Sequence, residues 1–129
     1  MDSVSHFEIP VDDIKRAKRF YMEMFGWQIS KIPDMDYHWI ETVDTDHKTG
    51  TPKQPGAING GMMLRTDPRA TPTIVITVQS LDERLEQVKQ AGGSVAFPKI
   101  TVGKHGFYAQ ISDTEGNSIG LWQNAKPDC

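Results

Sequence analysis

The stretch Ser5-His6-Phe7-Glu8-Ile9-Pro10-Val11-Asp12-Asp13-Ile14 predicts a strand that leads directly into a helix. Polar and apolar residues alternate along residues 6–11, which is the period of a strand with one apolar and one polar face. Asp12 or Asp13 is placed to cap the helix, and Gly26 is a typical stop. The predicted apolar stripe of this helix consists of Ile14, Ala17, Phe20, Tyr21, Met24 and Phe25.

Composition limits the functions that this chain can have. Its 129 residues are enough for one domain with a real core, and its formal net charge of -3 provides no general attraction to nucleic acid or anionic membranes. No apolar run reaches the roughly 18 residues of a membrane span, and residues 1–3 lack the features of a signal peptide. The single cysteine, Cys129, excludes disulfides within the chain. We therefore expect a soluble cytoplasmic protein.

The other segments show patterns typical of strands, turns and one further helix. In the first half we expect strands at residues 27–32, 37–43 and 57–64, a polar loop at 44–56 and a linker at 67–72. In the second half we expect strands at 73–78, 94–97, 107–112 and 118–123, with a loop at 98–106. Ser80 and Glu83 form a capping box for the second helix, which Gly92 and Gly93 end.

The two halves have the same order of elements and indicate an internal duplication. His6 aligns with Thr73, and Gly26 aligns with Gly93, at one offset of 67 residues. The sequence therefore predicts an α+β domain of two tandem βαβββ modules, at about residues 1–66 and 72–124. Each sheet would cover one face with its helix and leave a concave face for a small ligand. The expected helix-side residues are Phe7, Ile9, Val11, Ile74, Ile76, Val78, Ile119 and Leu121.

At this point the chain resembles the vicinal oxygen chelate superfamily, which includes glyoxalase I, extradiol dioxygenases, methylmalonyl-CoA epimerase and the fosfomycin and bleomycin resistance proteins. The resemblance covers nearly the whole chain. It rests on residues 6–13 with Phe20-Tyr21 and Phe25-Gly26-Trp27, on residues 78–81 with Gly92-Gly93, and on residues 113–122. It implies the glyoxalase/bleomycin resistance fold, with the helices on the outer face of a mixed concave sheet.

The resemblance also implies where a metal would bind. In metal-using members, the first and fourth strands of each module supply the ligands of a divalent ion, and these positions fall on His6, Gly61, Thr73 and Gly120. Only His6 is an ordinary ligand, and a single imidazole is too few for such a site. The chain is therefore more similar to the metal-free branch, and we expect no cofactor. The alternative is a divalent metal held by His6 with Glu8 as a second ligand.

His6 and Glu8 are also the candidate catalytic residues. Burial would raise the pKa of the Glu8 carboxylate, which could then act as a general base beside His6. The other interpretation is a hydrogen-bonded histidine and a solvated or salt-bridged carboxylate that do no chemistry.

A ligand-binding wall is predicted from side chains that alternation places on the concave faces. These are Trp39, Asn59, Gly61, Met63, Thr73, Tyr108, Gly120 and Trp122. Aromatic rings and thioethers suit an apolar or planar ligand, although the same side chains could fill the cup or a dimer interface. His47 with Asp44 and Asp46, and Lys99 with Lys104 and His105, are interpreted as exposed loop charges.

The function that these features favour is metal-independent binding of a small apolar or aromatic molecule in the cup of the sheet. The alternatives are a lyase or isomerase of the glyoxalase or epimerase type that uses His6 and Glu8, and a non-catalytic interaction module. The expected partners are a small-molecule ligand or substrate and, because family members pair their modules, a second copy in a homodimer. Neither nucleic acid nor a membrane is expected as a partner.

Overall fold

The computed structural model describes residues 1–126 and divides into two compact units. The His6 unit comprises His6–Pro72, and the Trp122 unit comprises residues 1–5 together with residues 73–126. Cys129, from which we predicted that the chain has no internal disulfide, lies outside the described residues.

The His6 unit contains a four-stranded sheet, one helix and a small hairpin. Its elements are β1 (Ser3–Val11, of which residues 6–11 belong to this unit), α1 (Ile14–Phe25), β2 (Gln28–Lys31), β3 (His38–Glu41), β4 (Thr45–Asp46), β5 (Thr51–Pro52) and β6 (Asn59–Leu64). The strand order is β2-β3-β6-β1. Strand β1 pairs with β6 in parallel, and the other pairs are antiparallel, so the sheet is mixed.

The Trp122 unit repeats this plan. Its elements are β7 (Thr73–Thr77), α2 (Leu81–Gln90), β8 (Ser94–Val102), β9 (Gly106–Ser112) and β10 (Ser118–Asn124). The strand order is β7-β10-β9-β8, and its one parallel pair again joins the first and last strands. The predicted α+β class is therefore confirmed. No helix among residues 1–126 is both long and apolar enough to span a membrane.

Both helices begin and end as their sequences predict. The Asp13 carboxylate accepts a hydrogen bond from the backbone N–H of Arg16 at 3.0 Å, and Ser80 Oγ accepts from that of Glu83 at 3.3 Å. Gly26 ends α1 in the left-handed conformation with φ of 72°, which a residue without a Cβ adopts at little cost.

Each unit has its own apolar core between helix and sheet. In the His6 unit, Val11, Ile29, Ile40 and Met62 are buried, and Phe7, Ile9, Ile14, Ala17, Tyr21 and Trp27 pack against them. In the Trp122 unit, the buried residues are Val78, Leu81, Ala109, Ile111 and Leu121. Most predicted helix-side residues belong to these clusters, so the alternation assigned their faces correctly.

Some predicted core positions are exposed instead. Ile74 was expected beneath α2, yet 44% of it is accessible because it lies at the start of β7, ahead of the helix. On α1, the stripe is wider than the sheet can cover. Ile14, Ala17 and Tyr21 pack inward, while Phe20, Met24 and Phe25 remain 52–60% exposed.

Two predicted loops contain strands. The segment 44–56 forms the β4–β5 hairpin, which two paired residues on each side close. Residues 98–102 continue β8, although Pro98 predicted a loop. Proline is tolerated there because β8 is an edge of this unit's sheet and its register shifts between Phe97 and Ile100.

Met62 provides a test of the His6-unit core. It is fully buried, so we expect Met62→Ala to lower the free energy of unfolding by about 3 kcal/mol through lost contacts and a residual cavity. Met22→Ala, at a position 39% exposed on α1, is the matched control and should change it by less than about 1 kcal/mol. Chemical denaturation measures both. Equal losses would contradict the assignment of Met62 to the core.

Candidate functional site

The polar face of β1 carries the predicted site residues His6 and Glu8. Both are half-buried. Strand β6 lies beside them in parallel register, with Asn59 opposite His6 and Gly61 opposite Glu8. Because side chains alternate along a strand, these residues share one face of the His6 unit, which we call the His6 face.

The His6 ring is held by two aromatic residues. Its Nε2 atom lies 2.8 Å from the hydroxyl of Tyr37, within hydrogen-bonding distance. The ring also stacks on the indole of Trp39, with centroids 5.7 Å apart and planes at 24°. These contacts fix the ring orientation, and the hydrogen bond with the Tyr37 hydroxyl occupies one of the two ring nitrogens.

Tyr37 also covers Gly61. A Cβ added at Gly61 would overlap the hydroxyl end of Tyr37, so this phenol occupies the space that a side chain at position 61 would need. Sequence reasoning missed Tyr37. The available signal was its position two residues before Trp39, which in an alternating strand places it on the same face.

Burial lowers the pKa of His6 from its ordinary 6.5 to about 4. The cause is desolvation, which disfavours the charged imidazolium. His6 is therefore neutral at physiological pH. A neutral imidazole can accept or donate a hydrogen bond, but with so low a pKa it is a weak base.

A second hydrogen-bonded group borders the His6 face. Trp39 Nε1 donates to Glu41 Oε1 at 3.2 Å, and His47 Nε2 lies 2.9 Å from the same oxygen. His47 follows β4, so this contact fastens the β4–β5 hairpin to β3. The histidine is 76% exposed and the Glu41 side chain only 13%.

Asn59 holds the chain that leads into this hairpin. Its Oδ1 accepts from the backbone N–H of Thr42 at 2.9 Å, and its Nδ2 donates to Thr45 Oγ1 at 2.8 Å. The residue is buried, with 2% accessibility. The amide predicted to contact a ligand is thus engaged in structural hydrogen bonds. Met63 is half-buried on β6, two residues beyond Gly61.

The Trp122 unit contains the other predicted wall residues. A Cβ added at Gly120 would come within 3.1 Å of the Tyr108 hydroxyl and 3.0 Å of Val75. Tyr108 also accepts a hydrogen bond from Gln110 Nε2 at 2.8 Å. Trp122 pairs with Tyr108 across β10 and β9 and donates through Nε1 to Asn124 at 2.8 Å. Thr73 is half-buried at the start of β7.

A tyrosine therefore covers a glycine in both units. Tyr37 lies two residues before Trp39, the strand partner of Gly61, and Tyr108 lies two residues before Gln110, the partner of Gly120. The repeated placement means that the duplicated modules share this feature as well as their topology.

The residues present do not fit a divalent metal. His6 directs Nε2 at a phenol, Gly61 has no side chain, and the space above it is occupied by Tyr37. Among residues 1–126, no three His, Cys, Asp or Glu side chains are grouped so that they could hold a metal ion. A site of three or four protein ligands cannot be assembled from this set.

Two open grooves are lined by residues other than those of the His6 face. One, of about 530 Å³, belongs to the Trp122 unit and is lined by residues that include Asp2, Thr77 and Arg84. The other, of about 500 Å³, runs along α1 in the His6 unit past Ala17 and Phe20 to Arg65. Neither is lined by His6, Glu8 or Trp39.

The remaining histidines do not lie on the His6 face. His38 is on the opposite side of β3 from Trp39, and its Nδ1 is buried without a hydrogen-bond partner among the described residues. Burial, followed by the charges of Lys18 and Lys31, lowers its pKa. His105 and Lys104 are exposed, and Lys99 pairs with Asp82 at 3.1 Å.

Comparison with known proteins identifies relatives of this chain. The sequence profile described as Bleomycin resistance protein-like N-terminal matches residues 4–42. A glyoxylase-like domain-containing protein of Didymella fabae is 30% identical over 123 residues, which are 92% of this chain and 91% of that protein. CFP32, a candidate glyoxylase of Mycobacterium bovis, is 28% identical over 123 residues, 90% of this chain and 43% of its own length. The chain therefore spans less than half of CFP32.

A solved structure shows the same fold. Methylmalonyl-CoA epimerase from Mycobacterium tuberculosis superposes with a TM-score of 0.63, covering 95% of this chain and 88% of the epimerase. The two sequences are 16% identical, so the likeness concerns the fold alone.

The lowered pKa of His6 predicts a pH-dependent stability. A histidine whose folded-state pKa is depressed stabilises the fold above the unfolded pKa of 6.5, and this contribution is lost as pH falls toward about 4. Between pH 7 and pH 5 we expect wild type to lose on the order of 2 kcal/mol more unfolding free energy than His6→Gln. Urea denaturation at each pH measures the difference.

His105→Gln, which removes an exposed histidine, is the control for that experiment. His38 is unchanged in all three proteins, so its own titration cancels. Parallel pH curves for wild type and His6→Gln would contradict a buried, neutral His6.

The packing of Tyr37 over Gly61 can be tested with a double-mutant cycle. Gly61→Ala must displace the Tyr37 hydroxyl and break its contact with His6, which we expect to cost about 1–3 kcal/mol. In a Tyr37→Ala background the same change should cost much less, because the overlapping group is gone. Gly120→Ala, where the added Cβ would meet its neighbours at 3.0–3.1 Å, is a milder control. If the effects of Gly61→Ala and Tyr37→Ala on the free energy of unfolding were additive, this contact between the two positions would be contradicted.

Proposed function

Since the chain belongs to the vicinal oxygen chelate superfamily as a glyoxylase-like member, we propose that it binds a small apolar or aromatic molecule without using a divalent metal. The site that we assign to this function in the His6 unit is the His6 face. Binding there relies on stacking and hydrogen bonds, and the proposal makes no use of Lewis-acid chemistry.

The observation that carries this proposal is the contact between His6 Nε2 and the Tyr37 hydroxyl above Gly61. A nitrogen that would coordinate a metal instead shares a hydrogen bond with a phenol, and the neighbouring ligand position is filled by the same phenol. His6 is neutral and half-buried, which suits recognition of an uncharged molecule.

The rings of the His6 face indicate the kind of ligand. Trp39 presents a flat indole whose Nε1 is already bonded to Glu41, so its remaining contribution is stacking and apolar contact. Met63 adds a polarisable thioether nearby on β6. His6 and Tyr37 add a hydrogen-bonding pair. This combination favours a planar molecule with one polar group, such as an aromatic ring bearing an oxygen.

A second candidate function is proton abstraction next to a carbonyl, as in a lyase or isomerase. Glu8 favours it, because this carboxylate is half-buried on the same face as His6. Burial holds the pKa of His6 near 4, so His6 is a weak base. The catalytic role would then belong to Glu8, with His6 and Tyr37 binding the carbonyl oxygen. Loss of solvent-deuterium exchange into a bound ketone or thioester in Glu8→Gln, with binding retained, would support it.

Metal content and ligand binding test the main proposal together. Tag-free protein prepared without chelator should carry no stoichiometric nickel, zinc, manganese or iron. In a tryptophan-fluorescence screen of aromatic and aliphatic compounds, hits should bind Trp39→Ala roughly fivefold to tenfold more weakly, since a stacked aromatic pair contributes about 1 kcal/mol.

Trp27→Phe is the matched control, because Trp27 packs with Tyr21 and Phe7 on the helix side of the sheet and should leave affinity unchanged. Stoichiometric metal in wild type that disappears in His6→Ala would overturn the proposal. So would ligands whose affinity is insensitive to Trp39 and Tyr37.

A further inference from the structure

Three basic side chains lie together on the helix side of the His6 unit. His38 and Lys31 are direct partners across β3 and β2. They share the face of the buried core residues Ile40 and Ile29, because side chains alternate along a strand. Lys18 lies on α1, and its positive charge acts on the His38 ring together with that of Lys31. We call these three residues the Lys18 cluster.

The Lys18 cluster is not neutralised by a carboxylate. Lys18 and His38 are half-buried and Lys31 is exposed. Among residues 1–126 neither lysine takes part in an ion pair. Burial lowers the pKa of His38, and the two ammonium groups lower it further, because like charges disfavour the imidazolium. Basic side chains held together in this way destabilise the unit unless an anion joins them.

The matching helix of the Trp122 unit has a leucine where α1 has Lys18. The offset of 67 residues that aligns the caps Asp13 and Ser80 also aligns Lys18 with Leu85. Leu85 packs against the buried core of its unit. A half-buried lysine without a carboxylate partner costs free energy at such a position, and a leucine does not. The fold itself therefore does not require the charge of Lys18.

His38 shows the same difference on the sheet. It directly follows Tyr37, as Ala109 directly follows Tyr108, and the two tyrosines cover matching glycines in their units. Ala109 is fully buried in its core, whereas Nδ1 of His38 is buried without a hydrogen-bond partner in the part of the chain that the structure describes. The single N–H of the neutral ring is less costly on Nε2 than at this dry position. His38 therefore offers a hydrogen-bond donor on its other ring nitrogen.

We propose that the Lys18 cluster binds a phosphate group, carried by a small phosphorylated molecule or present as free phosphate. Two ammonium groups and one imidazole N–H provide donors from three elements, and a phosphate group has three acceptor oxygens and a charge of about −1.5 to −2. Such an anion neutralises both lysines, whereas a single carboxylate leaves one positive charge uncompensated. The cluster lies on the opposite face of the sheet from the His6 face, so it is separate from the ligand site proposed above.

Isothermal titration calorimetry at low ionic strength tests the site with inorganic phosphate and with phenyl phosphate. Lys18→Gln and Lys31→Gln should each weaken binding roughly fivefold or more, because each removes a charged donor. Lys104→Gln, which removes an exposed lysine outside the cluster, is the control and should leave the affinity unchanged. Tighter binding of phenyl phosphate would assign the site to a phosphorylated molecule, and equal binding to the phosphate group alone.

Lys18→Leu separates phosphate binding from folding. This variant copies the residue of the Trp122 unit and removes the half-buried charge, so its midpoint of thermal unfolding in phosphate-free buffer should equal or exceed that of wild type. Phosphate should raise the midpoint of wild type, because it binds only the folded state. It should not raise the midpoint of Lys18→Leu.

Nuclear magnetic resonance shows where the phosphate binds. Phosphate should shift the ring resonances of His38 and leave those of the exposed residues His47 and His105 unchanged.

Several results would contradict the proposal. Wild type that binds neither anion at low ionic strength is one, and acetate that binds as tightly as phosphate is another. Phosphate affinity that Lys18→Gln and Lys31→Gln leave unchanged would place any anion site elsewhere. So would a Lys18→Leu protein that phosphate stabilises as much as wild type.

Discussion

Alternation along β1 is the constraint on which the His6 unit depends. One set of its side chains, Phe7, Ile9 and Val11, packs against the core beneath α1, and the other set presents His6 and Glu8. The parallel register with β6 then places Gly60 beside Phe7 and Gly61 beside Glu8. A slip of one residue would exchange the two faces, burying the carboxylate and exposing the ring. Core and candidate site are therefore specified by the same pairing.

The Tyr37 phenol above Gly61 limits the interactions that the His6 face offers to a ligand. A bound divalent ion polarises an oxygen strongly and demands several anionic or imidazole ligands. The Tyr37 hydroxyl and a neutral His6 offer only directional hydrogen bonds of ordinary strength. Under the proposed function, such a site would distinguish molecules by shape and by the position of one polar atom.

The sequence predicted features that depend on neighbouring residues. The caps at Asp13 and Ser80, the stop at Gly26 and the two faces of β1 follow from local spacing, and all are present. It did not predict the contact between His6 and Tyr37, which joins residues 31 positions apart. Nor did it predict the exposure of Phe20 and Met24, because periodicity identifies an apolar stripe but not the width of the sheet that covers it.

The sequence did not predict the hairpin β4–β5 or the structural role of Asn59 either. Two-residue strands carry too few side chains to show a period. Asn59 looked like a pocket residue because it shares a face with Gly61, yet its amide bonds to the chain at Thr42 and Thr45. The resemblance to a known family identified the fold, while the contacts of Tyr37 and Asn59 became visible only in the structure.

The parallel pairing of first and last strands has a consequence for how the protein is made. In the His6 unit, β1 finds its partner β6 only after the roughly fifty intervening residues have been synthesised, and β7 likewise waits for β10. Closing such long loops costs entropy before any strand contact repays it. The antiparallel neighbours β2 and β3 can form early on the ribosome, but each sheet stays open until its final strand emerges. Folding should therefore occur in two late steps, one for each repeat of the duplicated sequence.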